Sequence, residues 1–192
     1  MYKSLVSNVQ RIEEILQDFR DFVSATKLNF QVVDLNQVLE ETVKELLPKR
    51  SEVKLELNLK KNLPQIQLDT IKFKRAIGEL IENSFHFFDP LQDSALVRIS
   101  TRLISPHDTD LPHWALRGQA IRLSIEDTGS GVKDELKDKI FEPFFTSRVK
   151  GMGLGLSIVK GIVEAHGGYI FEMGIEGRGA KFVILLPVTE RP

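Results

Sequence analysis

Two short glycine clusters, the second running directly into an apolar helical stretch, constrain this chain more than anything else in it. The first is Asp127-Thr128-Gly129-Ser130-Gly131, and the second, twenty residues on, is Gly151-Met152-Gly153-Leu154-Gly155-Leu156. Without a Cβ, glycine backbone takes positive φ and approaches a ligand or another strand closely. One cluster is led by a carboxylate. The other opens a helix, whose first amides and positive dipole end favour anions. Together they have the make-up of two walls of a nucleotide site. Asp127 would accept from a base amino group, and amides near Leu154 would face phosphate oxygens. The second cluster is not a P-loop, because no Gly-Lys-Ser/Thr follows. It is not a dinucleotide fingerprint either, since its spacing differs and no βαβ unit follows.

The rest of the chain narrows the class. At 192 residues it accommodates one domain plus a short extra element. Twenty-six Lys and Arg against 27 Asp and Glu give a formal charge of −1, so nothing favours nucleic acid or an anionic membrane as partner. No cysteine is present, which excludes disulfides and thiolate metal sites and fits a reducing compartment. No apolar run approaches the roughly 20 residues needed to cross a bilayer, and no signal-peptide pattern opens the chain. We therefore expect a cytoplasmic location, or the cytoplasmic part of a membrane-bound sensor.

The hydrophobic pattern divides the chain at about residue 29. Leu5, Val9, Ile12, Leu16, Phe19 and Val23 alternate steps of four and three, a heptad seam supplemented by Ile15 and Phe22, and no Gly or Pro occurs from Met1 to Phe30. This predicts a long N-terminal helix belonging to a bundle or dimer interface. From residue 30 onward strands and helices mix: a short strand at Phe30–Leu35, a helix from an Asn36 cap to Leu47, and strands at Val53–Leu59 and Ile66–Leu68. Asp69 then caps a helix reaching about Phe88, with Ile71, Ile77, Leu80, Ile81, Ser84 and Phe88 as its apolar positions. Strands follow at Ala95–Ile104 and Gln119–Glu126, then a short helix after Val132 and a helix at Leu154–His166 closed by Gly167-Gly168. Tyr169–Met173 and Ala180–Val188 form a final hairpin. The expected fold is an α/β two-layer sandwich, a mixed sheet with helices on one face.

Four segments in order then carry a resemblance. Glu79-Leu80-Ile81-Glu82-Asn83-Ser84-Phe85-His86-Phe87-Phe88, the Asp127 cluster, Phe141-Glu142-Pro143-Phe144-Phe145-Thr146-Ser147-Arg148 and the Gly151 cluster resemble the N, G1, F and G2 boxes of the GHKL superfamily. This superfamily contains gyrase, heat-shock chaperone, histidine kinase and mismatch-repair ATPases. The phenylalanine-rich box points to the histidine kinase branch. The resemblance covers roughly residues 30–188 and implies a Bergerat-type ATP-binding domain over residues 30–192. Residues 1–29 resemble the second helix of the dimerisation and histidine phosphotransfer region with its linker. Implied ligands are ATP and Mg²⁺. Implied partners are a response regulator receiver domain and a second copy of the chain through the N-terminal helix, with no nucleic acid and no membrane contact.

Carried over residue by residue, the resemblance makes Asn83 the Mg²⁺ ligand, an amide oxygen that adds no charge and suffices where phosphates and water complete the shell. Glu79 lies one helical turn earlier on the same face. It is either a general base or a carboxylate that orients a metal-bound water or pairs with a cation. His86 and Phe87 would lie against phosphates. Asp127 would read adenine, whose amine donates where guanine presents a carbonyl, with Gly129 and Gly131 passing the base. Val132, Ile140, Leu156 and Phe182 are candidate apolar walls. Phe141, Phe144 and Phe145 would anchor a lid, Thr146–Met152, whose Arg148 and Lys150 reach phosphate oxygens. Gly151, Gly153, Leu154 and Gly155 would complete the phosphate wall. Gly177-Arg178-Gly179-Ala180-Lys181-Phe182 resembles the terminal glycine box, with Ala180 and Lys181 where that box often has Thr.

None of the four histidines (His86, His107, His113, His166) lies in the N-terminal segment or has the context of a phospho-acceptor. The expectation is a catalytic region that binds ATP and phosphorylates a histidine on a helix outside this chain, and that does not autophosphorylate alone. The alternatives are an ATP-hydrolysing clamp of the mismatch-repair or gyrase branch, or a GHKL-type protein serine kinase, both motivated by Glu79.

Overall fold

A computed structural model describes residues 27–46, 53–87, 95–105, 118–148 and 151–188, together with Val6, Val9, Ile12, Glu13, Leu16, Gln17 and Arg20. Those seven are helical, and Val9, Ile12 and Leu16 of the anticipated seam are exposed. Leu5, Ile15, Phe19, Phe22 and Val23 lie outside the described residues.

The elements run β1 (Gln31–Val33), α1 (Leu35–Leu46), β2 (Val53–Leu59), β3 (Ile66–Leu68), α2 (Thr70–His86), β4 (Ala95–Ile104) and β5 (Ala120–Asp127). Two 3₁₀ turns follow (Asp134–Leu136, Lys139–Phe141), then α3 (Gly155–Ala165), β6 (Tyr169–Glu172) and β7 (Lys181–Pro187). Five strands form a mixed sheet in the order β2-β4-β5-β7-β6, parallel only between β2 and β4. β1 and β3 pair separately, Val32 opposite Gln67. Alternation along the strands sends Val97, Ile99, Ile121, Leu123, Ile125, Phe182, Ile184 and Leu186 to the face that meets the helices, where they join Leu35, Leu39, Phe73, Leu80, Ile158 and Ile162 in one core. The opposite face carries a small apolar cluster of Ile104, Ala120, Val183 and Leu185 beside Phe171. The expected mixed sheet with helices on one face is what the chain forms.

Asp69 caps α2, its side chain accepting from Lys72 N at 3.0 Å, and its other oxygen accepts from Asn29 N at 2.7 Å. His166, at the end of α3, accepts from Asp69 N through Nε2 (2.9 Å), while Nδ1–H donates to Ile162 O (2.7 Å). Its ring meets Phe30 and Phe73 edge-on. Burial lowers the His166 pKa below its ordinary value, against the smaller opposing effects of the Ile162 hydrogen bond and the Asp69 charge. This neutral imidazole pins the start of α2 to the end of α3, so both helices that border the glycine loops share one fixed point.

Three local expectations are corrected. Asn36 does not cap α1: Asp34 Oδ1 accepts from Asn36 N (2.8 Å), and the Asn36 side chain instead bridges Lys60 O (2.9 Å) and the Thr101 hydroxyl (3.0 Å). Asp34 and Asn36 are both good capping residues, and the one two places earlier wins because β2 and β4 engage the other. Ile71 is not on the buried face of α2 but 80% exposed; Phe73, Ala76, Ile77, Leu80, Ile81 and Ser84 form that face. The short helix expected after Val132 is two 3₁₀ turns.

Candidate nucleotide site

A cavity of about 690 Å³ opens between α2, α3, the end of β5 and residues 145–148 and 151–153. Fourteen of the expected site residues border it: Glu79, Asn83, Phe87, Asp127, Gly131, Val132, Phe145, Thr146, Arg148, Gly151, Gly153, Leu154, Gly155 and Leu156. The apolar candidates Ile140 and Phe182 border it too. Asp127 and Asn83, far apart in sequence, therefore face one space.

Asp127 ends β5 and is 7% exposed. Its Oδ1 accepts two backbone amides, Gly129 N at 2.9 Å and Ala180 N at 3.0 Å, and its own N donates to Ala180 O at 2.9 Å. Oδ2 takes no hydrogen bond from the described residues and is the atom left for a ligand donor. The surroundings are glycine because they must be: a Cβ on Gly179, at φ +122°, would lie 1.9 Å from Asp127 O. Gly129 does not line the cavity. A Cβ there would lie 2.7 Å from Phe87 O, so its role is to let the loop pass the end of α2.

Across the cavity, Asn83 Oδ1 accepts a hydrogen bond from Arg148 Nη2. The same guanidinium lies 4.9 Å from the Phe87 ring centroid, a cation–π distance. Burial lowers the Arg148 pKa, opposed by the charges of Glu79 and Glu82. Glu79 pairs with Arg75 at 3.0 Å, and its Oε2 would lie 2.6 Å from a Cβ on Gly155. The carboxylate thus closes on the start of α3. There the N-cap is Leu154, with no side-chain cap bond. A sequence that places Leu where Ser or Asp is usual leaves the first amides of an eleven-residue helix to some other acceptor.

The phenylalanine-rich segment splits into three roles rather than one cluster. Phe141 is buried against Phe182 (ring centroids 6.3 Å), Phe145 lines the cavity, and Phe144 is 67% exposed at φ +68°. Phe144 N donates to Gly153 O at 2.8 Å, and a Cβ on Gly153 (φ +69°) would strike Phe144 C and Phe145 O at 2.5 Å. The two ends of the loop are thereby clamped together. His86 is not brought to the cavity: it is exposed, its Nδ1 2.8 Å from Glu82 O. Helical spacing put it one turn after Asn83, but the last turn of α2 rotates it outward. Lys150 lies outside the described residues. Ser130, Ser147, Met152 and Ala180 also line the cavity; they fall within the expected loops, lid and terminal glycine box without having been singled out as walls, whereas Lys133 and Leu136 line it with no signal in the sequence to mark them.

The donor set fits a purine nucleotide with a divalent cation. An open carboxylate oxygen stands at one end, apolar walls in the middle, and uncapped amides, a guanidinium and a neutral amide oxygen at the other. Among the described residues no group of three His, Cys, Asp or Glu could hold a metal; a cation beside Asn83 would draw on phosphate and water oxygens. No helix among the described residues is long and apolar enough to cross a membrane.

Comparison with known proteins agrees. The family described as "Histidine kinase-, DNA gyrase B-, and HSP90-like ATPase" matches residues 68–190. The sensor histidine kinase ZraS of Escherichia coli O157:H7 is 27% identical over 96% of this chain and 37% of its own length. The alginate biosynthesis sensor protein KinB of Pseudomonas aeruginosa is 31% identical over 92% of this chain and 28% of its own. This chain thus spans only 28 to 37% of the length of these relatives. Among solved structures, full-length ShkA in complex with AMPPNP superposes with a TM-score of 0.78 at 24% identity, covering 96% of this chain and 37% of that one, a likeness of fold. The mycobacterial sensor histidine kinase MprB gives 0.67 at 26%, covering 83% and 97%. The family match runs from the strand before Asp69 past Phe182 and so encloses every wall of the cavity: the chain belongs to the histidine kinase-, DNA gyrase B- and HSP90-like ATPase family.

Proposed function

We propose that this chain is the ATP-binding catalytic region of a two-component sensor histidine kinase. The observation that carries the reading is Asp127, one oxygen saturated by two backbone amides and the other without a hydrogen bond from the described residues, at a cavity that Asn83 also borders. Asp127 Oδ2 accepts from the adenine amine; guanine offers a carbonyl there, and two acceptors repel. Val132, Ile140, Leu156 and Phe182 enclose the base. The first amides of α3 meet phosphate oxygens, and Asn83 Oδ1 holds Mg²⁺. Held there beside phosphate and water oxygens, the ion would supply charge neutralisation for the transfer. Arg148 now fills the place of that cation; on nucleotide binding its guanidinium leaves Asn83 for β and γ oxygens. A histidine on a helix outside this chain attacks the γ-phosphorus. A P–N bond forms, the γ-phosphorus to β,γ-bridging-oxygen bond breaks, ADP departs with the electron pair, and Glu79 or water takes the imidazole proton. An aspartate of a receiver domain is the later recipient.

Residues 1–29 act as the second bundle helix and linker, and residues 30–192 as the catalytic domain. The exposed Val9, Ile12 and Leu16 support pairing with a second copy. The parent protein works in the cytoplasm or as the cytoplasmic part of a membrane-bound sensor.

Calorimetric titration with ATP and GTP, with and without Mg²⁺, tests the site. ATP binding that requires Asp127 and strengthens with Mg²⁺ is expected; equal affinity for the two purines overturns the assignment. Glu79, at the cavity beside Asn83, gives the rival readings their own assay. ATP turnover by this chain alone that disappears in Glu79→Ala would make it a hydrolysing clamp. Acid-stable phosphate on a protein substrate would make it a serine kinase.

A further inference from the structure

Glu172 is a carboxylate where the pattern of β6 calls for a core side chain. Its side chain is 0% exposed. Oε1 accepts from Gly174 N at 2.8 Å and from Lys181 N at 2.9 Å, the two ends of the β6–β7 turn. Oε2 is buried without a hydrogen bond, and its counter-charge is Lys137 Nζ at 3.5 Å. Lys137 also donates to Gly174 O at 2.7 Å and pairs with the exposed Asp134 at 2.8 Å. A buried carboxylate is costly and, with one imperfect ion pair, adds little stability over an apolar side chain. Its geometric effect is larger. Lys181 N, which Glu172 holds, is one residue from Ala180 N, which holds Asp127 Oδ1. The far end of the same turn donates from Gly177 N to Ser130 O at 2.8 Å.

We infer that Glu172, neutralised by Lys137, is a positioning residue for purine recognition: it fixes the β6–β7 turn so that the Ala180 amide occupies Asp127 Oδ1 and Oδ2 alone faces the base. The inference rests on the nucleotide-binding reading above. It assigns part of the adenine selectivity to a side chain that never touches the ligand.

The test compares ATP and GTP dissociation constants for the wild-type chain, Glu172→Gln, Glu172→Val and the double variant Lys137→Met/Glu172→Leu. The double variant removes both charges together, so it leaves no buried charge unpaired and should stay folded at the assay temperature although the Gly174 and Lys181 amides lose their acceptor, which thermal denaturation checks. Glu172→Val and the double variant should lose about tenfold in the ATP-over-GTP ratio, the equivalent of one or two misplaced hydrogen bonds. Glu172→Gln, which retains an oxygen for both amides, should hold the ratio within about threefold of wild type. A folded double variant with the wild-type ratio, or variants that weaken both nucleotides equally, overturns the inference. Failure of the wild-type chain to prefer ATP overturns the nucleotide reading itself, a separate result.

Discussion

The two ends of the cavity are built from different materials. At the Asp127 end the contacts are backbone amides, glycine-enforced close approaches and a buried carboxylate behind the turn. At the Asn83 end the contacts are side chain to side chain: Arg148 on Asn83, Arg148 over Phe87, Arg75 on Glu79. Backbone placed by a sheet cannot readjust without moving strands, whereas a guanidinium on a flexible stem exchanges partners at small cost. In the function proposed above, the base end is thus preformed, and the phosphate end is held by the Arg148 cation, which nucleotide would displace. This division suits a site that selects a purine by fixed geometry and then tolerates a change of charge at its other end.

The largest effect that would break this contrast is Asp127→Asn. It keeps Oδ1 for Gly129 and Ala180 but replaces Oδ2 with an amide NH2 donor, which would face the adenine amino donor. ATP affinity should fall by about 100-fold or more with little change in unfolding temperature, read by titration and thermal denaturation. Unchanged affinity removes Asp127 from the site. Next come the glycines. Gly179→Ala forces a Cβ against the Asp127 carbonyl and should destabilise the whole domain, by roughly 2–4 kcal/mol in urea unfolding. Gly153→Ala strains the loop clamp and should cost roughly 1–3 kcal/mol or less, the loop being able to open locally. If Gly153→Ala proves the more damaging, the phosphate end is the rigid one.

Arg148→Met is expected to leave the unfolding temperature of the free protein nearly unchanged and to weaken Mg·ATP about tenfold. It should also raise the factor by which Mg²⁺ improves nucleotide binding, because Asn83 is then free of its competitor. An unaltered Mg²⁺ factor in the calorimeter would mean that Arg148 and the metal do not share that oxygen. The smallest effect concerns the frame common to both ends. Because the folded-state pKa of His166 lies below the unfolded value near 6.5, the unfolded chain binds the extra proton first. Stability is then full above about pH 6.5 and declines as pH falls through the lower folded value. His166→Gln should flatten that limb of a pH series of denaturation curves; an equally steep limb would assign the decline to other groups.

What could be read in advance followed from local chemistry. Asp69 capped its helix because an Asp before an apolar run accepts from an amide three residues on. The glycine clusters and the Asp127 carboxylate marked the cavity because few other residues permit such close approach. Choices between equivalent neighbours were not legible. Asp34 rather than Asn36 caps α1 and Phe73 rather than Ile71 is buried, each settled by a strand or helix distant in sequence, while His86 points away with its ring against Glu82 O of its own helix. Phe141, Phe144 and Phe145 read as one aromatic group and have three environments, since one positive φ at Phe144 redirects the chain.

By itself the sequence determined the alternation of strands and helices, the position of the glycine loops and the carboxylate that leads the first of them, because these depend on backbone freedom and short-range hydrogen bonding. Tertiary structure alone decided that Asp127 and Asn83 share a cavity, that Arg148 rests on the amide expected for a metal, and that Glu172 lies buried behind the turn. Those arrangements depend on which strands become neighbours, and side-chain spacing along one segment carries no record of the distance to another.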